Sequence, residues 1–168
     1  MDSMAREKVS SHQGLLGPAF ALQNSKNMHA IDDSRKDSAI KANLAIVEAH
    51  FHNESLNEVE KACDLYTDDI VWEAPARNIL LRNKQDVIEN YRKMFASVKN
   101  VEFRTLQRFG TEDRVVDDSI VRFKLIGSNS VPAPIGSQIE MRLVHIFEMR
   151  EAKIARETAF EMWKVVQG

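Results

Sequence analysis

The C-terminal third of the chain alternates, and that alternation limits the folds open to it. In QIEMRLVHIFEMR, residues 138–150, the odd positions Met141, Leu143, His145, Phe147 and Met149 are apolar except for one histidine. The even positions carry Glu140, Arg142, Glu148 and Arg150. Successive strand side chains point to opposite faces, so this is a strand with one buried face. Residues 101–108, 114–126 and 154–165 read as strands too. The short MREAKI link makes the last two a hairpin, and GSNSVPAPIGS is a longer loop between the preceding pair. Four consecutive strands form an antiparallel meander, whose apolar face needs a covering layer.

Helical periodicity ahead of the meander supplies that layer. Asp33 or Ser34 caps a helix that runs to about Asn53, with Ile40, Leu44, Val47 and Phe51 inward. In NESLNEVEKACD, Ser55 and Glu58 have capping-box spacing, and Leu56, Val59, Cys63 and Tyr66 form the inner stripe of a second helix ended by TDD. IVWEAP is a short strand stopped by Pro75. NKQDVIENYRKMFASV is a third helix, capped by Asn83, with Val87, Ile88, Tyr91, Met94 and Phe95 inward. The expected class is α+β, three helices folded over one curved sheet. Residues 1–33 mix Gly, Pro, Ser and Asn without a sustained period and read as a tail, flexible or docking on a neighbour through Leu15-Leu16 and Ala19-Phe20. Residues 34–168 form the compact domain.

Charge and cysteine usage exclude several function classes. With 23 basic and 25 acidic residues the net charge is −2, so no basic field exists to attract nucleic acid or an anionic membrane. No apolar run approaches the roughly 20 residues that cross a bilayer. The expected partners include neither nucleic acid nor membrane. Cys63 is the only cysteine and cannot form an internal disulfide, which makes the cytoplasm the default location. Its helical spacing reads as a buried structural thiol. His, Cys and carboxylates never gather at ligand spacing, and His50 and His52, two apart, do not share a helix face. There is no glycine-rich phosphate loop. Neither a metal nor a cofactor is expected.

The DLYTDDIVWEAP corner, the NKQDVIENYRKMF helix and the VHIFEMREAKIARE hairpin, in that order, resemble the SnoaL-like branch of the nuclear transport factor two-like superfamily. Polyketide cyclases belong to that branch, and ketosteroid isomerase is a relative. The resemblance covers about residues 35 to 166. It implies three N-terminal helices packed on a curved, mostly antiparallel sheet, a cone-shaped half-barrel enclosing an apolar pocket. It also implies homodimers through the outer sheet face. One fold carries many chemistries, so it does not fix a reaction.

His145 stands on the buried face, and its neighbours depend on the hairpin register. A three-residue turn, Glu151-Ala152-Lys153, sets Phe147 opposite Glu157 and His145 opposite Ala159. Glu157 and Glu161 are then diagonal to His145, and Trp163 joins the same face. A one-residue change sends the glutamates to solvent. The even residues of the last strand, Ile154, Thr158, Phe160 and Met162, are greasier than the odd ones, which keeps that alternative open. The resemblance favours the first register, because the position matching His145 in ketosteroid isomerase is a pocket-facing aspartic acid. An acid/base pair of His145 with Glu157 or Glu161 makes chemical sense: the carboxylate orients the ring, and the other nitrogen takes a proton from substrate.

The family's own machinery is otherwise missing. The position of the isomerase base is Ala74, its first-helix tyrosine falls near Val47, and the acidic residue of the cyclases matches Ala159. Trp72, Phe123 and Phe147 are expected to shape the pocket, with Val47, His50 and Trp163 as further ligand contacts. Asn43 is an alternative inward residue, while Arg104 and Arg122 read as solvated. Two readings follow. One is a cofactor-free enzyme acting by acid/base chemistry on a small, mostly apolar carbonyl or polyketide-like compound, as isomerase, cyclase, dehydratase or hydratase. The other is a non-catalytic domain of the same fold that binds a small ligand or a second copy.

Overall fold

The computed structural model describes the backbone of residues 18–54 and 57–166, and the side chains of residues 32–54 and 57–166. The chain divides into a unit of residues 1–35 and a unit of residues 36–168. Helix α1 spans Pro18–Asn53, α2 Val59–Cys63 and α3 Lys84–Ala96. The strands are β1 Tyr66–Ala74, β2 Ile79–Leu81, β3 Val98–Gly110, β4 Arg114–Leu125, β5 Gln138–Arg150 and β6 Lys153–Val166.

α1 begins well before the expected cap at Asp33. Pro18, whose ring presets a helical φ, stands at its first position, and neither Gly nor Pro interrupts the 35 residues behind it. The second helix is much shorter than expected. Ser55 and Leu56 lie outside the described residues, and Tyr66 and the TDD triplet belong to β1 rather than to the helix end. Asn83 caps α3 as predicted, its side chain accepting from the Asp86 backbone N–H at 2.9 Å.

Six strands form one sheet in the order β2-β1-β6-β5-β4-β3. All pairings are antiparallel except β1 with β6. The class is α+β with a mostly antiparallel sheet, but the sheet does not close: β2 and β3 are its edges. The inner face takes the odd residues of β4 and β5 and the even residues of β1, and it is buried under α1, α3 and their apolar stripes.

The β5–β6 turn decides which face Glu157 occupies. Its loop is one residue shorter than expected, because Arg150 already pairs with Lys153. Glu151 and Ala152 sit at φ 51 and 57, the two positive φ values of a tight primed turn. That turn alone would set Arg156 opposite Phe147 and put Glu157 on the outer face. The register shifts at once, however: Met149 pairs with Ile154, and Glu148 with Arg156, leaving Ala155 unpaired. This bulge restores the parity lost at the turn. Phe147 therefore meets Glu157 and His145 meets Ala159, as the first register predicts. The greasy even residues Phe160 and Met162 lie outside, 43% and 61% exposed.

Candidate active site

A buried polar cluster sits where α1, α3, β1, β5 and β6 converge. α1 buries Asn43, Val47 and His50, and Glu54 follows one turn after His50 on the same side. β1 turns Tyr66 and Trp72 to the same face, β6 contributes Glu157 beside Trp72, and α3 contributes Tyr91. Glu157 is fully buried, and every polar atom around it can donate. Tyr66 Oη donates to Glu157 Oε2, and Tyr91 Oη donates to Oε1 at 3.1 Å. Trp72 Nε1 donates to Tyr91 Oη at 3.2 Å, which leaves that hydroxyl's proton for a carboxylate. His50 Nε2 lies 3.5 Å from Glu157 and 3.1 Å from Glu54.

These contacts set the charge states. Nδ1 of His50 faces the Ala62 carbonyl at 3.3 Å, an acceptor only, and so carries a proton. Nε2 faces two carboxylates and carries one as well. Burial alone would expel this charge, but the hydrogen bonds and attraction of Glu157 and Glu54 outweigh it and lift the His50 pKa to about 10. Burial likewise disfavours ionised Glu157, yet His50, His145 and the Tyr66 hydroxyl hold its pKa below the usual carboxylate range. Burial first, and then Glu157, pushes Tyr66 and Tyr91 well above the ordinary tyrosine value, so both remain neutral donors. Near pH 7 the cluster is an imidazolium facing two carboxylates, with two neutral phenols around them.

His145 occupies the cavity side of this cluster. It is 4% exposed, stacked on Phe147 at 5.5 Å between ring centroids and tilted against Phe51 at 5.2 Å. Nε2 is 3.5 Å from Glu157 Oε1, and a carboxylate there favours the proton on Nε2. Nδ1 is buried and has no hydrogen-bond partner among the described residues. On the far side of His145, its cross-strand partner Asp117 is fully buried and engaged by Arg108 Nε at 2.7 Å and Ser119 Oγ at 2.6 Å.

His145 and Glu157 share the wall of a cavity with about 580 Å³ of empty space, counting its part open to solvent. Trp72, Phe123 and Glu161 line it, together with Ala159 on the β6 floor. Glu161 faces the cavity but is not diagonal support for His145: it accepts from Arg77 Nη2 at 2.7 Å. Other expected contacts lie elsewhere. Val47 and Phe147 are core residues behind the wall, and His50 acts through Glu157 rather than at the mouth. Trp163, near the end of β6, is 37% exposed and lies outside this cavity, where the strand emerges from the core. Asn43 turns inward but clamps the Thr111 and Glu112 carbonyls at 3.2 and 2.9 Å.

The sequence reading missed Glu54, Tyr66, Tyr91 as a polar group, Arg77 and Asp117. Helical spacing could have exposed Glu54, one turn after His50, and strand parity links Tyr66 to Trp72. Arg77 carries no periodic signal. His50, Glu54 and Glu157 each offer one ligand atom within 4.8 Å of the others, a convergence invisible to linear spacing. Each of those atoms also takes part in a hydrogen bond or ion pair inside the cluster. Cys63, buried nearby, has its thiol pushed up to about 12 by burial and by Glu157 and Glu54, which makes it a poor nucleophile. No helix among the described residues is long and apolar enough to cross a membrane.

Residues 47–157 match the SnoaL-like domain family. No curated protein matches the sequence. Among solved structures, the phenazine biosynthesis-related protein PhzB2 of Pseudomonas aeruginosa superposes with a TM-score of 0.64 at 16% identity, over 74% of this chain and 78% of that one. The epoxide hydrolase/cyclase-like enzyme SalBIII, of pyran ring formation in the polyether salinomycin, gives 0.62 at 14% identity, over 75% and 97%. An LEH-like epoxide hydrolase of M. tuberculosis gives 0.56 at 16%, over 76% and 85%. Identities this low establish a shared fold.

Proposed function

This chain belongs to the SnoaL-like family, and from that premise we propose that it is an enzyme working by general acid/base catalysis on a small, mostly apolar carbonyl or polyketide-like compound. The reaction is an isomerisation, cyclisation, dehydration or hydration. The observation that carries this reading is His145, a cavity-lining residue with Nε2 against the Glu157 carboxylate and a buried Nδ1 that has no hydrogen-bond partner among the described residues. A buried nitrogen with no acceptor or donor is costly in a finished core and useful in a site that awaits a substrate proton.

In this mechanism Nδ1 of His145 removes a proton from substrate carbon or oxygen, and the resulting imidazolium is stabilised by Glu157. The surroundings are apolar, which strengthens that attraction. Glu157 stays anionic because Tyr66, Tyr91 and the His50 imidazolium hold it. His145 later returns the proton to another atom of the substrate. Trp72 and Phe123 hold the apolar body in place. The exposed patch of Phe160 and Met162 supports a homodimer through the outer sheet face, and the lone buried cysteine supports a reducing, cytoplasmic location.

The test uses no assumed substrate. Exchange of C–H protons beside the carbonyl of a panel of small aromatic ketones and esters is followed in D₂O by NMR. The wild type is expected to accelerate exchange in at least one of them, and His145→Ala to lower that rate on the order of 10²-fold or more. An unchanged rate in the variant removes His145 from the chemistry. Binding of the panel without any exchange favours the non-catalytic ligand-binding reading instead.

A further inference from the structure

The cavity has a second polar station that the acid/base reading leaves unused. Beyond β1 the chain enters a single 3-10 turn, Pro75–Arg77, closed by Asn78 at φ 54. This turn brings the Arg77 guanidinium over the Trp72 ring, 5.6 Å from its centroid. Arg77 Nη2 donates to Glu161 Oε1 at 2.7 Å, and the two side chains are only 12% and 7% exposed. Both line the cavity. Arg77 Nε is buried and has no hydrogen-bond partner among the described residues. A pair serving only to staple this turn to β6 is frequently bidentate, with two guanidinium N–H groups on both carboxylate oxygens. Here one edge of the fork is taken and another N–H is left over.

We propose that Arg77, held and neutralised by Glu161, is the specificity-determining anchor for an uncharged carbonyl oxygen of the ligand. This deepens the acid/base reading and rests on the same cavity. An N–H donor selects an oxygen acceptor. The charge balance of the wall then decides which kind. The charged groups lining it are Glu54, Glu157, Glu161 and Arg77, with the His50 imidazolium directly behind Glu157. Three carboxylates face two cations, so a further carboxylate on the ligand would enter a negative field in a poorly hydrated space. A keto or ester oxygen accepts the Nε–H bond without that penalty.

Position sets the ligand's shape. Glu157, Ala159 and Glu161 line the cavity in turn along β6. At ~3.3 Å per residue the backbone positions of Glu157 and Glu161 are about 13 Å apart along the strand, and that of Ala159, opposite His145, lies about 7 Å from Glu161. The small Ala159 leaves the floor between them free for an apolar body. The anchored carbonyl is therefore remote from the atom that His145 deprotonates, at the other end of a ring or short chain.

Three probes of one shape separate the outcomes: 2-acetylnaphthalene, 2-naphthoate and 2-isopropylnaphthalene, titrated calorimetrically into wild type, Glu161→Gln and the neutral pair Arg77→Met/Glu161→Gln. The wild type is expected to bind the ketone roughly tenfold more tightly than either other probe, the difference one charged hydrogen bond makes. The neutral pair should lose the preference over the hydrocarbon while retaining a cooperative unfolding transition. Glu161→Gln should shift the preference toward the naphthoate. Equal affinity for all three, no binding of any, or a ketone preference surviving in the neutral pair overturns the assignment. The same titration in His145→Ala keeps the two ideas apart. A preference that persists there while proton exchange is unaffected by His145→Ala retains the anchor and sinks only the acid/base reading.

Discussion

Glu157→Gln is the most informative single change in this protein, because it removes a charge that several buried groups are arranged around. The variant keeps the shape of the side chain and takes away the carboxylate facing His50, Tyr66, Tyr91 and His145. The size of the loss follows from His50. Its pKa rises from 6.5 to about 10, and at about 1.4 kcal/mol per unit the partners that hold its charge supply about 5 kcal/mol net of desolvation. Glu54, 3.1 Å away, remains in the variant and retains part of it. Removing one member of a buried pair elsewhere destabilises by about 3–5 kcal/mol, so about 3 kcal/mol is expected here. Urea unfolding at pH 7 measures it, read from the midpoint with an unchanged m value.

A pH arm checks the same source. His50 has a raised folded pKa, so its contribution is complete below about 6.5 and fades as pH climbs toward 10. The wild type should lose stability across that window, and His50→Gln should lose far less. Glu157 has a depressed folded pKa, so its share is present above the ordinary carboxylate range and is lost on acidification below it. A Glu157→Gln variant destabilised by less than 1 kcal/mol, or a wild type with flat stability from pH 7 to 10, would refute the ion-pair account.

Two further outcomes test the framework around the site. The Cys63 thiol, pushed up to about 12 by burial and neighbouring carboxylates, should resist Ellman's reagent at pH 8 in the native state and react fully in urea; fast native reaction contradicts the buried packing. At the β5–β6 turn, Glu151→Asn with Ala152→Gly matches the residues to φ 51 and 57 and should stabilise by about 0.4–1 kcal/mol per site, seen as a rise in Tm, whereas a fall in Tm would contradict the turn geometry.

Much of the sheet was legible because side-chain parity is a local property. The alternation around His145 marks β5, and the odd residues of that strand are indeed the buried ones. The β5–β6 register was legible only as a choice of two. The outcome depends on two opposing one-residue events, a shorter turn and a bulge at Ala155, and no local pattern announces that they cancel. Greasy residues on the even face of β6 point the wrong way, because Phe160 and Met162 are exposed here rather than buried. The α2 region failed for a related reason: Tyr66 fits a helical stripe with Val59 and Cys63, yet strand pairing with β6 captures it.

The candidate site was legible at its two ends and opaque between them. His145 and Glu157 stand out as polar residues on an apolar face. The rest of the network comes from three separate elements, α1, β1 and α3, and is assembled only by tertiary structure. His50 was expected to meet ligand; instead it sits fully buried behind Glu157 and fixes its charge. Arg77 was invisible, since a single 3-10 turn after Pro75 decides where it points.

The most direct test of the central claim is the tautomer of His145, read by ¹⁵N NMR of histidine-labelled protein at a pH where that ring is neutral, with His145→Gln for assignment. A proton on Nε2 and a bare Nδ1 are predicted, with Glu157→Gln weakening that preference. A neutral ring protonated on Nδ1, indifferent to Glu157, would contradict the account, because the nitrogen to which the proposal assigns proton abstraction would then have no lone pair with which to take a proton.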